Sequence, residues 1–150
     1  MRVALSGRSA ATAATINAVG AALWNPHASI RLRVYEISWA KTVATVDNMA
    51  LVRTTTRGTV TTIASTVDNE TDRAAVAPSG AGLDVTYTAQ PTIASAAAPL
   101  ARWNLPAAIG AGFVWSLPEE WEIPPGTGLA IMTPVATILQ PADVSFRWAE

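Results

Sequence analysis

Three glutamates surround a tryptophan in the segment PEEWE, and paired carboxylates beside a sugar-binding ring are the groups that a glycoside hydrolase uses. Neighbouring residues of a strand point to opposite faces, so Glu119 and Glu120 diverge there. Glu120 and Glu122 can share a face, but nothing in the sequence supplies a cleft around them. We therefore interpret PEEWE as a charged strand edge that discourages pairing with another sheet.

Acidic residues also alternate in the segment DNETD, which contains Asp68, Glu70 and Asp72. Carboxylate oxygens spaced in this way in a loop can bind calcium. An EF-hand loop would in addition need a glycine at its sixth position and a bidentate glutamate at its end, and both are missing. A solvated loop is the preferred interpretation, and a calcium site is the alternative.

Other catalytic and cofactor motifs are missing from the sequence. The chain has one histidine, His27, and no cysteine, so it cannot build a multi-histidine or thiolate zinc site. No G-x-S-x-G elbow and no phosphate-binding glycine loop is present. We predict that the protein is not an enzyme and needs no cofactor or metal, and that His27 is an ordinary turn or interface residue after Asn25-Pro26.

The composition indicates an uncharged surface. Half of the residues are hydrophobic and 14% are charged, against about 25% in a typical globular domain. The ten basic and eleven acidic residues are scattered, so no basic face for nucleic acid is expected. No run approaches the ~20 apolar residues of a membrane span. A chain with so few charges is typical of a protein that works within an assembly.

Alternating apolar residues and dense threonine predict an all-β protein. The segments SIRLRVYEISW, LDVTYTA and VSFRWAE each have a period of two, which is the strand signature. Eight or nine short strands with no long helix between them favour an antiparallel β-sandwich, with a jelly roll of about eight strands as the predicted architecture. The faces predicted to be shared are Ile30, Leu32 and Val34; Leu83, Val85 and Tyr87; and Val144, Phe146 and Trp148.

The segment WEIPPGTGLAIMTP predicts a stiff corner between two strands. Pro124 blocks further pairing of the strand before it. Pro125 and Gly126 fit the two central positions of a type II turn, in which the second needs a positive φ. Gly128 allows close approach to a neighbouring strand, and residues 129–132 are expected to be buried on both faces.

The first twenty residues are small and weakly periodic, which is compatible with a short helix or an extended arm. We predict an arm over residues 1–20 and one β-sandwich domain over residues 21–150, since such a segment cannot bury itself. MRVALSGRS begins like a signal peptide but breaks at Ser6-Gly7-Arg8, so a soluble, unprocessed chain is expected.

Six tryptophans are scattered over as many segments. Exposed indole rings could stack on sugars, but the scatter favours anchors of the core and of subunit interfaces. The six are Trp24, Trp39, Trp103, Trp115, Trp121 and Trp148.

Several segments together resemble small virion proteins of tailed bacteriophages that decorate or cement the head: AALWNPHASIRLRVYEISWAKT, LVRTTTRGT, ARWNLPAAIGAGFVW, PPGTGLAI and VSFRWAE. The resemblance extends from about residue 21 to the end. It implies a jelly-roll homotrimer on the capsid surface that binds the major capsid protein, does no chemistry, and is made in the cytoplasm of a bacterial host.

Two sets of residues are assigned to that role. The predicted capsid-binding arm contributes Arg2, Leu5, Arg8 and Ile16. The predicted trimer interface uses Phe113, Trp115, Phe146 and Trp148, and the alternative is that these four lie inside the sandwich. The rival function is a carbohydrate- or receptor-binding jelly roll, on a virion or secreted, which would expose tryptophans in a row.

Overall fold

The structure, a computed structural model, describes residues 2–64, 66–69 and 79–150 of the chain. These residues form strands and no helix, which confirms the predicted all-β class. The strands are β1 (Arg2–Arg8), β2 (Val19–Asn25), β3 (Leu32–Lys41), β4 (Asp47–Thr54), β5 (Thr59–Ala64), β6 (Thr66–Asn69), β7 (Gly82–Ala89), β8 (Ala101–Leu105), β9 (Gly112–Ile123), β10 (Thr127–Met132) and β11 (Ala142–Ala149).

The strands make two antiparallel sheets that pack face to face as a β-sandwich. One sheet has the order β6-β1-β11-β3-β9, and the other has the order β5-β7-β2-β10-β4-β8. The inner faces of both sheets contribute to one hydrophobic core, which contains Leu23, Leu51 and Leu129 from one sheet and Ile37 and Phe146 from the other. This arrangement confirms the predicted antiparallel sandwich.

The pairing of the strands follows a simple rule. Four antiparallel pairs, β1 with β11, β2 with β10, β3 with β9 and β4 with β8, join the first four strands to the last four in reverse order. Successive pairs lie in alternate sheets. These eight strands therefore form one long two-armed ribbon that is folded over on itself, while β5, β6 and β7 extend the sheets at the other edges.

The predicted core faces are correct where the strands are regular. Leu32 and Val34 are buried on β3, and Arg33 between them is exposed. The alternation then changes phase, because the register of β3 against both neighbours shifts between Val34 and Glu36. Trp39 returns to the core on the odd-numbered side as a result. A bulge of this kind is a tertiary feature that strict period-two counting misses.

One predicted face is split between the two sides of its sheet. Leu83 and Val85 on β7 lie in the main core, but Tyr87 packs against a second cluster on the outer face of the six-stranded sheet. The pairing of β7 with β5 is irregular on either side of Thr62, which lies opposite the part of β7 that contains Val85. This irregularity reverses the inward and outward alternation of the β7 side chains after Val85. That outer cluster consists of Val19, Ala22, Ala50, Val52, Ala130 and Met132.

The structure corrects the prediction of an N-terminal arm. Residues 2–8 form β1, which lies between β6 and β11 inside its sheet. Val3 and Leu5 alternate toward the core and are each 1% exposed. The prediction of an arm over residues 1–20 is therefore wrong for β1. Two large apolar residues spaced two apart are enough to anchor a strand in the core, even when the residues around them are small.

The proline-rich corner has the predicted geometry. β9 ends at Ile123, directly before Pro124. Gly126 has φ 67°, and the backbone N–H of Thr127 donates to the carbonyl oxygen of Pro124 at 3.3 Å. These are the marks of a tight turn with a left-handed second corner.

Gly128 lies where two strands meet closely, as predicted. A Cβ at this position would be 2.5 Å from the Oγ1 of Thr54 on the paired strand β4. Residues 129–132 follow it and are completely buried on both faces of the sheet. The corner therefore leads directly into the centre of the six-stranded sheet.

Candidate interaction surfaces

Four aromatic rings cluster along one side of the sandwich, and we refer to Trp103, Phe113, Trp115 and Trp121 as the aromatic edge cluster. Trp103 stacks on Phe113 with ring centroids 4.3 Å apart. Trp115 meets Trp103 edge to face at 5.2 Å and Trp121 edge to face at 5.0 Å. All four rings are half-buried and pack against the main core.

The cluster forms because the edge strands of the two sheets lie side by side there. β8 is the last strand of the six-stranded sheet, and β9 is the last strand of the five-stranded sheet. Alternate residues of β9 point between the sheets, so Phe113 and Trp115 reach Trp103, while Val114 points outward and is 70% exposed. Side-chain rings close this side of the core, since the two edge strands do not pair with each other.

The four residues predicted for a trimer interface are divided by the structure. Phe113 and Trp115 belong to the aromatic edge cluster and retain exposed surface. Phe146 and Trp148 are 0% exposed, because β11 lies between β1 and β3 and turns this face toward the core. The interface prediction is wrong for these two, and the alternative, a place inside the sandwich, is correct for them.

Trp103 and Trp121 were not among the four residues predicted for the trimer interface. RWNLP, which contains Trp103, and GFVWSLP are two aromatic strands on either side of a short turn, and that spacing was the available signal for Trp103. Contact between these rings depends on which strands form the edges of the two sheets. Strand order of this kind follows from long-range pairing, which local periodicity does not encode.

The residues predicted to form a capsid-binding arm have separate environments. Arg2 lies over the ring of Tyr35, with 5.4 Å from its Cζ to the ring centroid. Leu5 is buried in the core, so its side chain cannot contact another protein. Arg8 makes a two-pronged ion pair with Asp143, while Ile16 is 62% exposed in the loop after β1. A single arm that presents all four side chains is therefore a wrong prediction.

Charged side chains on the described part of the outer face of the five-stranded sheet form pairs between strands. Arg8 pairs with Asp143 at 2.8 Å, and Arg147 pairs with Glu36 at 3.2 Å. In the PEEWE segment, Glu122 pairs with Arg31 and Glu120 with Arg33. The two glutamates thus take different arginine partners on an exposed surface, which supports a charged strand edge.

A partly exposed arginine and a buried aspartate form an ion pair on the outer side of the six-stranded sheet. Arg57 donates two hydrogen bonds to the carboxylate of Asp84, at 2.9 and 2.6 Å. Burial raises the pKa of Asp84, and the hydrogen bonds from Arg57 oppose that rise. Burial also raises the pKa of the nearby Tyr87 hydroxyl far above its ordinary value, so this group stays protonated.

His27 is a turn residue, as predicted. Its Nδ1 accepts hydrogen bonds from the backbone N–H groups of Ser29 at 3.0 Å and Ile30 at 2.9 Å. Both bonds are local and fix the turn between β2 and β3. This role uses the imidazole as a structural acceptor.

The possible calcium loop falls largely outside the described part of the chain. Asp68 belongs to β6 by its backbone, and Glu70 and Asp72 lie outside the described residues. Elsewhere in the described ranges no group of three histidine or acidic residues is arranged to hold a metal ion. Among the same residues, no helix has the length and hydropathy needed to cross a membrane.

No family model matches the chain, and no curated protein or solved structure matches it.

Proposed function

We propose that this chain is a non-enzymatic structural protein of a phage virion, which decorates or cements the capsid by binding the major capsid protein as a homotrimer. The observation that carries the proposal is the aromatic edge cluster, in which four large rings remain half-exposed beside two strands that form the edges of the sheets in the described structure. Aromatic residues that are partly buried in the monomer are the usual anchors of protein interfaces.

We also propose that the sandwich is a jelly roll. The four strand pairs and their alternation between the sheets support this assignment, because a jelly roll is a long antiparallel ribbon wrapped into two sheets. β5, β6 and β7 are then an insertion between the two arms of the ribbon. Such a rigid scaffold suits a protein that binds other subunits by its edges and ends.

The edge strands explain how copies of the chain would meet. Among the described strands, β8 and β9 each have a neighbour on one side only, and their rings fill the gap between the sheets. Contact with another subunit there would remove the remaining ring surface from water and cover the exposed Val114. The glutamates of β9 limit open-ended edge pairing, which favours a closed oligomer.

Light scattering on the purified chain tests the subunit contact. We expect a native mass of three times the 15.7 kDa chain and a shift toward the monomer for Trp115→Arg and for Val114→Glu. Thr61→Arg is the matched control, because Thr61 is exposed on β5 at the edge of the other side of the sandwich. A wild-type monomer that does not bind empty capsids would contradict the proposal.

A carbohydrate-binding module is the second candidate, because three tryptophans of the aromatic edge cluster are contiguous. Trp115 meets both Trp103 and Trp121 edge to face, so the rings contact each other instead of forming a flat stacking platform. A glycan array settles this alternative. Binding of a sugar that is lost in Trp121→Ala, with the native mass unchanged, would favour it over assembly.

A further inference from the structure

Four loops form one end of the sandwich, and we refer to residues 9–18, 42–46, 106–111 and 133–141 as the loop end. They connect β1 to β2, β3 to β4, β8 to β9 and β10 to β11, respectively. None of their residues is charged. Six of the large hydrophobic side chains that are exposed in the described structure lie here: Ile16, Val43, Val46, Ile109, Val135 and Ile138.

Backbone hydrogen bonds join these loops into one surface. The N–H of Thr12 donates to the carbonyl oxygen of Leu139 at 2.9 Å, and the N–H of Leu139 donates to the Oγ1 of Thr12 at 2.9 Å. The N–H of Thr42 donates to Pro141 at 3.2 Å. The carbonyl oxygen of Lys41 accepts from Gly110 at 2.8 Å, which attaches the loop that carries Ile109. The exposed side chains are thus held on a connected frame.

Two of the charged residues next to these loops, Lys41 and Asp47, are turned inward, whereas Arg8 forms an exposed ion pair with Asp143 on the outer face of the five-stranded sheet. Lys41 is 2% exposed, and its Nζ donates to the carbonyl oxygen of Pro106 at 2.9 Å. Asp47 at the start of β4 is completely buried. Lys41 and Asp47 therefore support the loops from beneath and add no charge to their outer surface.

The opposite end of the sandwich has a different character. The loop between β2 and β3 and the ends of β4 and β9 contain Arg31, Arg53 and Glu122. Arg53 donates to the backbone carbonyl oxygen of Glu122 at 2.6 Å, and Arg31 pairs with its carboxylate. This end of the sandwich thus carries exposed charged groups, whereas the four loops of the loop end contain none.

The exposed area of the loop end is large for an isolated monomer. The six side chains expose on the order of 500 Å², toward the upper limit of the largest patch on a typical monomer. With the alanines, threonines and prolines around them, the end approaches the ~800 Å² that each partner contributes to a stable protein interface. We propose that the loop end docks onto an uncharged, apolar surface of a protein shell.

The chemistry of the loop end favours a protein partner. Interfacial membrane-binding segments combine basic side chains with tryptophan or other large aromatic rings, and the loop end contains none of these. Its β-branched and small side chains on a fixed frame suit shape-complementary packing against another folded surface. The identity of the partner, the capsid shell, rests on the proposed function.

The proposed trimer strengthens this contact. In a cyclic oligomer all equivalent surfaces face the same side, so three loop ends reach one shell together. Linking three weak contacts in this way raises the overall affinity without any new contact within a subunit. The charged ends would then face solvent.

Binding of the full chain to empty capsids of the phage that encodes it tests the inference by co-sedimentation. We expect Ile109→Glu and Ile138→Glu each to weaken binding by about tenfold or more, since a buried carboxylate opposes docking. Ala28→Glu is the matched control, because Ala28 is exposed at the charged end and its variant should bind like the wild type. Binding should also be insensitive to salt from about 0.05 to 0.5 M, because charges do not contribute.

The alternative outcomes are distinct. Capsid binding that is equal in both loop-end variants and in the wild type overturns this inference and leaves the proposed function intact. Absence of wild-type capsid binding overturns both. A lower native mass of Ile109→Glu would make the loop end a contact between copies, and binding to neutral phosphatidylcholine vesicles would make it a lipid contact. Either result contradicts the inference.

Discussion

Trp103 and Phe113 connect the two sheets of the sandwich at its open side. Their rings lie 4.3 Å apart and are inclined by 12°, although Trp103 belongs to β8 of one sheet and Phe113 to β9 of the other. No backbone ladder joins these edge strands. A stacked pair of side chains thus closes the core at the edge where the two sheets are not joined by hydrogen bonds.

A double-mutant cycle measures that contact. Trp103→Leu and Phe113→Leu should show a coupling free energy of about 0.5–1.5 kcal/mol in urea unfolding, because stacked rings contribute beyond their buried area. The control cycle pairs Trp24→Leu with Phe113→Leu. Trp24 lies on β2, three strands away from β8 in its sheet, so these two effects should add. Equal coupling in both cycles would contradict a specific ring contact.

Phe146→Ala should lower the free energy of unfolding by about 3–5 kcal/mol, because it removes a completely buried ring from the core. Denaturant unfolding at low protein concentration checks this value. Val114→Ala, on the exposed side of β9, should cost less than ~1 kcal/mol and provides the comparison. A Phe146→Ala protein of normal stability but reduced native mass would return Phe146 to the subunit interface.

Gly112→Ala should destabilise the chain by about 3 kcal/mol, because an added methyl group would overlap the backbone carbonyl of Trp39 on the paired strand β3. That carbonyl cannot move without disturbing the ladder. Gly126→Ala is the comparison: its φ of 67° is unfavourable for alanine, but a Cβ there meets nothing within 4 Å. Its cost should be about 1–2 kcal/mol. Thermal unfolding of the two variants separates contact from backbone strain, and equal costs would refute the contact.

The strands and turns were predictable where a local pattern determines them. The alternation of Val144, Phe146 and Trp148 predicts a buried face, and the proline and glycine residues before β10 predict its turn, since both depend on neighbours in the sequence. β1 was missed because Val3 and Leu5 stand among small residues, and its partner β11 lies at the far end of the chain.

The candidate surfaces were less predictable for the same reason. The aromatic edge cluster depends on the order of strands in both sheets, and the loop end depends on four connections that are distant in sequence. The lack of charge in each loop was visible, but no local rule places those loops side by side. The assignment of Phe146 to an interface was wrong because an aromatic strand has the same sequence pattern in a core as in a subunit interface.

The buried carboxyl of Asp47 should make stability depend on pH. Burial raises the pKa of Asp47 above its ordinary value of 3.8, and the nearby ammonium of Lys41 opposes that rise incompletely. The native state therefore binds this proton more tightly than the unfolded chain does. The contribution of Asp47 to the free energy of unfolding is greatest below the ordinary pKa and falls as the pH rises through the native pKa.

Asp47→Asn removes this titration, so the free energy of unfolding of the variant, relative to that of the wild type, should increase between about pH 4 and pH 7. Asp143→Asn is the control with the opposite sign. The hydrogen bond from Arg8 lowers the pKa of the exposed Asp143, so its small contribution is present above the ordinary pKa and is lost as the pH falls. Urea unfolding of the three proteins across this range measures both slopes. An Asp47→Asn difference that is constant with pH would show that this carboxyl has the same pKa in the folded and unfolded chain.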